Sequence, residues 1–377
     1  LDKIDFLAKT MKILIDKNIP YIEHFFADHI DQIEYFCDED FEIENVTEDS
    51  VVIVRSTYKT HGKKIPKSIK FLCSASTGED HIDKEKLDKM KIPYAFSTGA
   101  NAIAVREYTF SAVALMLREE KFTKTDSALI IGCGNIGEGV YKTLEYFDFN
   151  ISSYDPYKWS TNSSEDLEGY SLISLHVPYT TALESEHHTE KLFSSSKFKM
   201  CIDGAIIINT SRGGVVSEED FLGLDTEQHH IRLISDVFAN EPNINKDFLE
   251  KNLFGTPHIA GHSQYARYQM TKMASEHIDN FLGMKNTEKK NILENKIVDF
   301  DKNVFDKDIK EFGLPVSLML DTYNPKLDHF ESSDFKKIRD NYNNRIGYSQ
   351  IVIKGCDNDA DRISLEMLGF TVQDSQK

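Results

Sequence analysis

The 377-residue chain is poor in several things, and each shortage narrows what it can be. No stretch approaches the ~18 consecutive apolar residues that read as a membrane-spanning helix, and no charged-then-apolar pattern near the start suggests a secretion signal. Cysteine is sparse: Cys37, Cys73, Cys133, Cys201 and Cys356 stand apart, with no C-x-x-C pair. Neither a disulfide framework nor a thiolate zinc site is expected, and a reducing cytoplasm fits best. Positive charge is also short, 44 Lys and Arg against 62 Asp and Glu for a net −18, which disfavours nucleic acid and anionic membrane as partners. An anionic substrate then needs a local basic pocket. The doublets His187-His188 and His229-His230 invite a metal reading, but adjacent side chains on a helix or strand point apart, so both are read as solvated surface and no metal is expected. The first ten residues, Leu1 to Thr10, receive no function.

What is present supports real cores. Hydrophobic residues make up 40% and aromatics 11% of the chain, enough for two to three domains. From Met11 the pattern runs strand (KILID), helix (PYIEHFFADH), strand (VVIVRS), strand (KFLCSAS) and helix (KEKLDKMK), the alternation of a parallel α/β sheet. A stretch from Asn101 to Glu120 repeats apolar residues at helical spacing, a length suited to bridging two lobes. Buried strands SALIIG, ISSYD, LISLHV, AIIINTS and LISDVF then predict a second doubly wound sheet. A helix from about Tyr265 to Leu282 has an apolar face suited to packing back on the first lobe. MKNTEKKNILENK reads as a connector, and QIVIKG, FTVQ, DFKKIRDNYNNR and DADRISLEML read as strands and helices of a third domain. The expectation is α/β: two Rossmann-like doubly wound parallel-sheet lobes plus a small α+β C-terminal domain. The boundaries are 11–98 with 263–286 for a discontinuous substrate-binding lid domain, 99–262 for a nucleotide domain, and 287–377 for the C-terminal domain.

Gly132-Cys133-Gly134-Asn135-Ile136-Gly137 matches G-x-G-x-x-G. The pattern alone is weak; its context, a buried strand before it and a helix after it, makes it strong. The first glycine permits the tight turn, the second lets backbone N–H groups approach a pyrophosphate, and the third allows close helix–strand packing. Asp155 ends the next strand, eighteen residues after Gly137, where it would accept hydrogen bonds from a ribose and repel a 2′-phosphate. NAD is therefore favoured over NADP, although Lys158 nearby weakens that preference.

Three further groups fall where open α/β sheets place ligands, at the carboxyl ends of strands. Arg212 follows a buried strand beside two glycines, and its planar guanidinium can clamp a carboxylate through two parallel bonds. Glu241 lies in DVFANEP and His258 in PHIAG. Singly each has a bland reading; together, in a sheet that carries a nucleotide turn, they predict an active site.

In GCGNIG, HVP, NTSRGGVV, DVFANEP, PHIAG, STGEDHID and NAIAVREY the chain resembles the D-2-hydroxyacid dehydrogenase family over roughly Met11 to Gly283. The resemblance implies an NAD-dependent oxidoreductase with Arg212, Glu241 and His258 as catalytic residues and a pairing of Glu241 with His258. It implies substrate contacts at Ser56, Ser76 and His262. It implies cofactor contacts at Val177, Asp236 and Gly261, beside Gly132, Gly134, Asn135, Ile136, Gly137 and Asp155. Ser76 replaces a usual threonine, and His262 a usual substrate-binding tyrosine. The MKILIDKNIPY opening, the VRST and SASTGEDHID loops and the C-terminal FKKIRDNYNNR, YSQIVIKGCD and LGF are similar to the branch that takes a small anionic phosphorylated 2-hydroxy acid and dimerises through its C-terminal domain. A 3-phosphoglycerate or other D-2-hydroxyacid dehydrogenase, or an NAD-sensing regulatory protein, are the alternatives.

Overall fold

A computed structural model of the chain describes residues 11–161, 167–225, 230–284, 289–342 and 345–373. Residues 1–10, His229 and 285–288 of the predicted connector lie outside them. Two compact units divide the described residues, one within Leu1–Asn101 and Gln264–Leu293, the other within Ala102–Ser263 and Glu294–Lys377.

The first unit is a parallel sheet of β1 (Lys12–Asp16), β2 (Ile33–Phe36), β3 (Ser50–Val54), β4 (Ile69–Ser74) and β5 (Tyr94–Phe96), in the order β2-β1-β3-β4-β5. Successive residues of β3 face opposite cores: Val51 and Ile53 pack with Ile13, Phe25 and Ile278, while Val52 and Val54 pack with Ile43, Leu72 and Leu87. Both faces are covered, which is why Ile13, Leu14 and Ile15 of β1 and VVIV of β3 read as unbroken apolar runs. The helix Gln264–Leu282 supplies Ala274, Ile278 and Leu282 to the first of these cores. The predicted helix after β1 is shorter: one turn, Ile22–Phe25, then a 3₁₀ stretch, Ala27–Gln32. Phe25 and Phe26 both pack into the core of this unit.

The second unit contains β6 (Ala128–Ile131), β7 (Ile151–Tyr154), β8 (Leu172–Leu175), β9 (Ile206–Asn209), β10 (Arg232–Ser235) and β11 (Phe254–Gly255), all parallel, in the order β11-β10-β9-β8-β6-β7. The chain goes from β6 to β7 on one side and to β8 on the other, so the strand order reverses at β6. Such a reversal opens a crevice at the carboxyl end of the strand.

The C-terminal segment adds β12 (Lys296–Asp299), β13 (Ile351–Lys354) and β14 (Thr371–Val372), a three-stranded parallel sheet. Its Ile351, Ile353, Leu365 and Phe370 share one hydrophobic cluster with Ile130, Ile208 and Ile234 of the second sheet. The helix Ala102–Arg118 belongs to this unit and is buried at fourteen of its seventeen positions, because the helix Val316–Thr322 packs on it as well. A one-sided stripe is therefore not its pattern. Among the described residues, no helix is long and apolar enough to cross a membrane.

Candidate active site

Each residue of the glycine turn meets a different steric demand. Gly132 has φ +92°, and a Cβ there would sit 2.5 Å from the carbonyl oxygen of His176. A Cβ on Gly137 would lie 1.9 Å from the carbonyl oxygen of Gly132. Gly134 faces open space, with nothing within 4 Å of an added Cβ. The helix Gly137–Tyr146 begins here without a side-chain cap, and an uncapped helix N-terminus beside a glycine turn is the arrangement that receives a phosphate. Asn135 is exposed and Ile136 half-buried on the same turn. Asp155, just beyond β7, accepts a hydrogen bond from Cys133 N at 2.8 Å through Oδ2 and from Tyr157 N at 2.9 Å through Oδ1. The carboxylate is thereby locked against the turn, and the cradle fits a dinucleotide. Val177 follows β8, half-buried, against the turn at Gly132.

The other residues leave the sheet side by side. In register, Ser235 of β10 pairs with Asn209 of β9 and with Gly255 of β11. Arg212, Glu241 and His258 thus follow three neighbouring strand ends. Buried Asn209 shapes the first loop: its Oδ1 accepts from Ser211 N and Ser211 Oγ, and its Nδ2 donates to Arg212 O. Arg212 is half-buried, with Nη1 donating to Ser211 O at 2.8 Å. Gly213 is required because a Cβ would meet Phe238 O at 1.9 Å; the first and second loops pack backbone to backbone.

Glu241 Oε1 accepts from Phe238 N at 2.9 Å, and Oε2 lies 2.7 Å from His258 Nδ1. Burial opposes ionisation of Glu241, but the His258 imidazole and the Phe238 N–H more than offset it and hold the carboxyl below its ordinary range. With Nδ1–H donated to this carboxylate, the neutral imidazole carries its lone pair on Nε2. His258 itself has φ 57°, an uncommon backbone state for a side chain of this size.

Asp236 sets that conformation. It is 1% exposed; Oδ1 accepts from Thr256 Oγ1 and Ile259 N, both at 2.7 Å, and Oδ2 from Ala260 N at 2.9 Å, while its carbonyl accepts from His258 N at 2.8 Å. Burial pushes its carboxyl up to about 6, against the opposing pull of His258 and these donors. Gly261 is buried in the turn that follows, and half-buried His262 donates its N–H to Ile259 O.

In the first unit, half-buried Ser56 follows β3 and Ser76 follows β4. Ser76 Oγ lies 2.7 Å from Ser74 Oγ, which lies 2.8 Å from Nε2 of buried His81. Ser74 and His81 were not anticipated, although both sit in or beside the STGEDHID motif; nothing in the pattern tells a supporting histidine from a surface one.

Residues 105–260 match the family model described as D-isomer specific 2-hydroxyacid dehydrogenase, NAD binding domain. The erythronate-4-phosphate dehydrogenase of Psychromonas ingrahamii is 31% identical over 284 residues, 73% of this chain and 73% of that protein. The enzyme of the same name from Wigglesworthia glossinidia brevipalpis is 33% identical, over 73% of this chain and 74% of its own. The chain belongs to this dehydrogenase family. Solved D-2-hydroxyacid dehydrogenases share its fold: the Aquifex aeolicus D-lactate dehydrogenase complexed with NAD and lactic acid superposes with a TM-score of 0.57 at 20% identity, over 72% of this chain and 96% of the other. A Polaromonas structure described as a putative D-isomer specific 2-hydroxyacid dehydrogenase gives 0.59 at 18%, over 75% and 100%. The cofactor of this dehydrogenase is NAD, and the glycine turn with Asp155 lies inside the matched NAD-binding domain.

Proposed function

We propose that the chain oxidises the C2 hydroxyl of 4-phospho-D-erythronate to 2-oxo-3-hydroxy-4-phosphobutanoate with NAD, a step of pyridoxal 5′-phosphate biosynthesis. The observation that carries the chemistry is the 2.7 Å contact between His258 Nδ1 and Glu241, which aims a basic Nε2 away from the carboxylate. His258 takes the hydroxyl proton; Glu241 fixes its tautomer and stabilises the charge it acquires. Arg212 holds the substrate carboxylate and the carbonyl forming at C2. When bound, oxidised NAD accepts the hydride that leaves C2. Ser56, Ser76 and His262 are the proposed substrate contacts. The substrate's identity rests on the relatives' name and on the C-terminal motifs.

Cytoplasmic residence and homodimerisation through the C-terminal segment belong to the same reading. The second rests on the C-terminal motifs FKKIRDNYNNR, YSQIVIKGCD and LGF that carry the resemblance. The deciding measurement is NADH formation from 4-phospho-D-erythronate and from 3-phosphoglycerate at equal concentration. Faster turnover of the former is expected; the reverse order would assign a different substrate, and tight NAD binding without turnover of any 2-hydroxy acid would make the chain an NAD sensor.

A further inference from the structure

Arg345 lies in the C-terminal segment, beyond the residues that match the NAD-binding domain, yet it is only 4% exposed. Burying a guanidinium is costly unless it is paired and hydrogen-bonded, and an apolar side chain often serves stability equally well. Its partners are specific. Nη1 donates to Ala260 O at 2.7 Å, Nη2 donates to Ala104 O, and Nη2 lies 3.6 Å from Oε2 of Glu107, itself 2% exposed. The guanidinium also stands 4.3 Å from the Tyr323 ring centroid. Glu107 accepts from Tyr348 N at 2.9 Å, which ties the same stretch of chain to the helix Ala102–Arg118.

The contact at Ala260 matters most. Ala260 is held on both sides, its N–H by Asp236 and its C=O by Arg345. Two residues earlier stands His258 with its positive φ, a state that persists only where its surroundings over-determine it. The same loop is pinned at its start, where Thr256 Oγ1 meets both Tyr108 Oη at 2.8 Å and Asp236. Without Arg345 the buried carbonyl of Ala260 would lose its donor, and a buried acceptor left alone drives local rearrangement.

We infer that Arg345 is a positioning residue for catalysis: it locks the loop 256–261 from the C-terminal side, and through that loop holds the His258 imidazole in register with Glu241. The inference rests on the proposed role of His258.

The test uses the full chain with Arg345→Met, Arg345→Lys, Glu241→Gln and the Glu241→Gln/Arg345→Met double variant. Arg345→Met should lower kcat by about thirty-fold while leaving the KM for NAD and substrate within about threefold, since a sub-ångström misplacement acts on the reacting geometry rather than on binding. Arg345→Lys, which keeps the charge but not the forked geometry, should fall between it and wild type. If Arg345 acts through the pair, the double variant should be hardly slower than Glu241→Gln alone. Multiplicative losses, or a lowered melting temperature with unchanged kcat, would make Arg345 a purely structural residue; should Arg345→Met not fold, Arg345→Lys and its double variant decide the same question. Amide hydrogen exchange of a peptide covering 256–262, measured without substrate, separates the two claims. Faster exchange there and not across β6 to β9 is expected in Arg345→Met, and unchanged exchange overturns the inference. Absence of turnover in wild type would instead overturn the functional reading and leave the exchange result to decide the loop.

Discussion

The two large sheets are built alike and used differently. Both are parallel, both are covered on two faces, and each reverses its strand order beside its first strand, at β1 in one and β6 in the other. After β6 comes a glycine turn with an open face at Gly134 and an uncapped ten-residue helix. β1 ends on Asp16 and is followed by Lys17-Asn18-Ile19-Pro20; fully buried Asp16 accepts from Asn18 N and pairs with Arg55 at 2.7 Å, and only a four-residue helix follows. Side chains fill the space that glycine leaves empty in the other sheet. One architecture therefore yields a cofactor cradle only where the turn omits Cβ atoms.

The largest expected effect separates the units by chemistry. His258→Ala in the second unit should lower kcat/KM by about 10²–10⁴, the usual worth of a positioned acid–base group, whereas Ser76→Ala in the first should cost about tenfold or less, mainly in KM. Steady-state kinetics of both variants checks this, and equal losses in kcat would erase the division of labour. Next in size, Arg212→Lys should lose about 10²-fold in kcat with NAD affinity intact, because a lysine cannot reproduce a two-pronged carboxylate clamp. Near-normal turnover would remove Arg212 from the mechanism.

Smaller is the effect at Asp155. NAD should bind at least about tenfold more tightly than NADP, roughly 1.4 kcal/mol, and Asp155→Asn should narrow that ratio; calorimetry that finds equal affinities in wild type would show the carboxylate does not select. The smallest effect belongs to the first unit alone. There the Asp279 carboxylate, 2.8 Å from buried His29, raises that histidine's pKa above its ordinary 6.5, against burial and with help from Gln32 and Asp28. A raised folded-state pKa stabilises fully below 6.5, and this contribution is lost as pH climbs through the folded value. Exchange protection of the helix Gln264–Leu282, which carries Asp279, should weaken over that interval, and His29→Gln should flatten the dependence while the second sheet is unaffected.

Elements were legible where local chemistry and tertiary structure agree. The apolar strands, the glycine turn and the helices at Lys84–Met90, Gln264–Leu282 and Asp359–Leu368 were all visible. The strands that escaped notice are β2, with two of four residues exposed, the short β5 and β11, and the mostly exposed β12. Edge strands of this kind take their conformation from the neighbour they pair with. The helices Lys302–Phe312 and Val316–Thr322 also went unseen; the second is fixed by packing on Ala102–Arg118.

For the site, residue types and spacing alone determined that a dinucleotide turn, an arginine and two titratable groups follow the strands of one sheet, because short apolar runs covered on both faces and glycines at tight turns are demands of the backbone itself. Proximity was decided only by tertiary structure. Glu241 and His258 are seventeen residues apart and Arg345 is eighty-five beyond Ala260, distances at which sequence carries no local signal. What joins them is the register of β9, β10 and β11, which sets three loops side by side, and the burial of Asp236 and Arg345, which hydrogen-bond the loop that carries His258 at Thr256, Ile259 and Ala260.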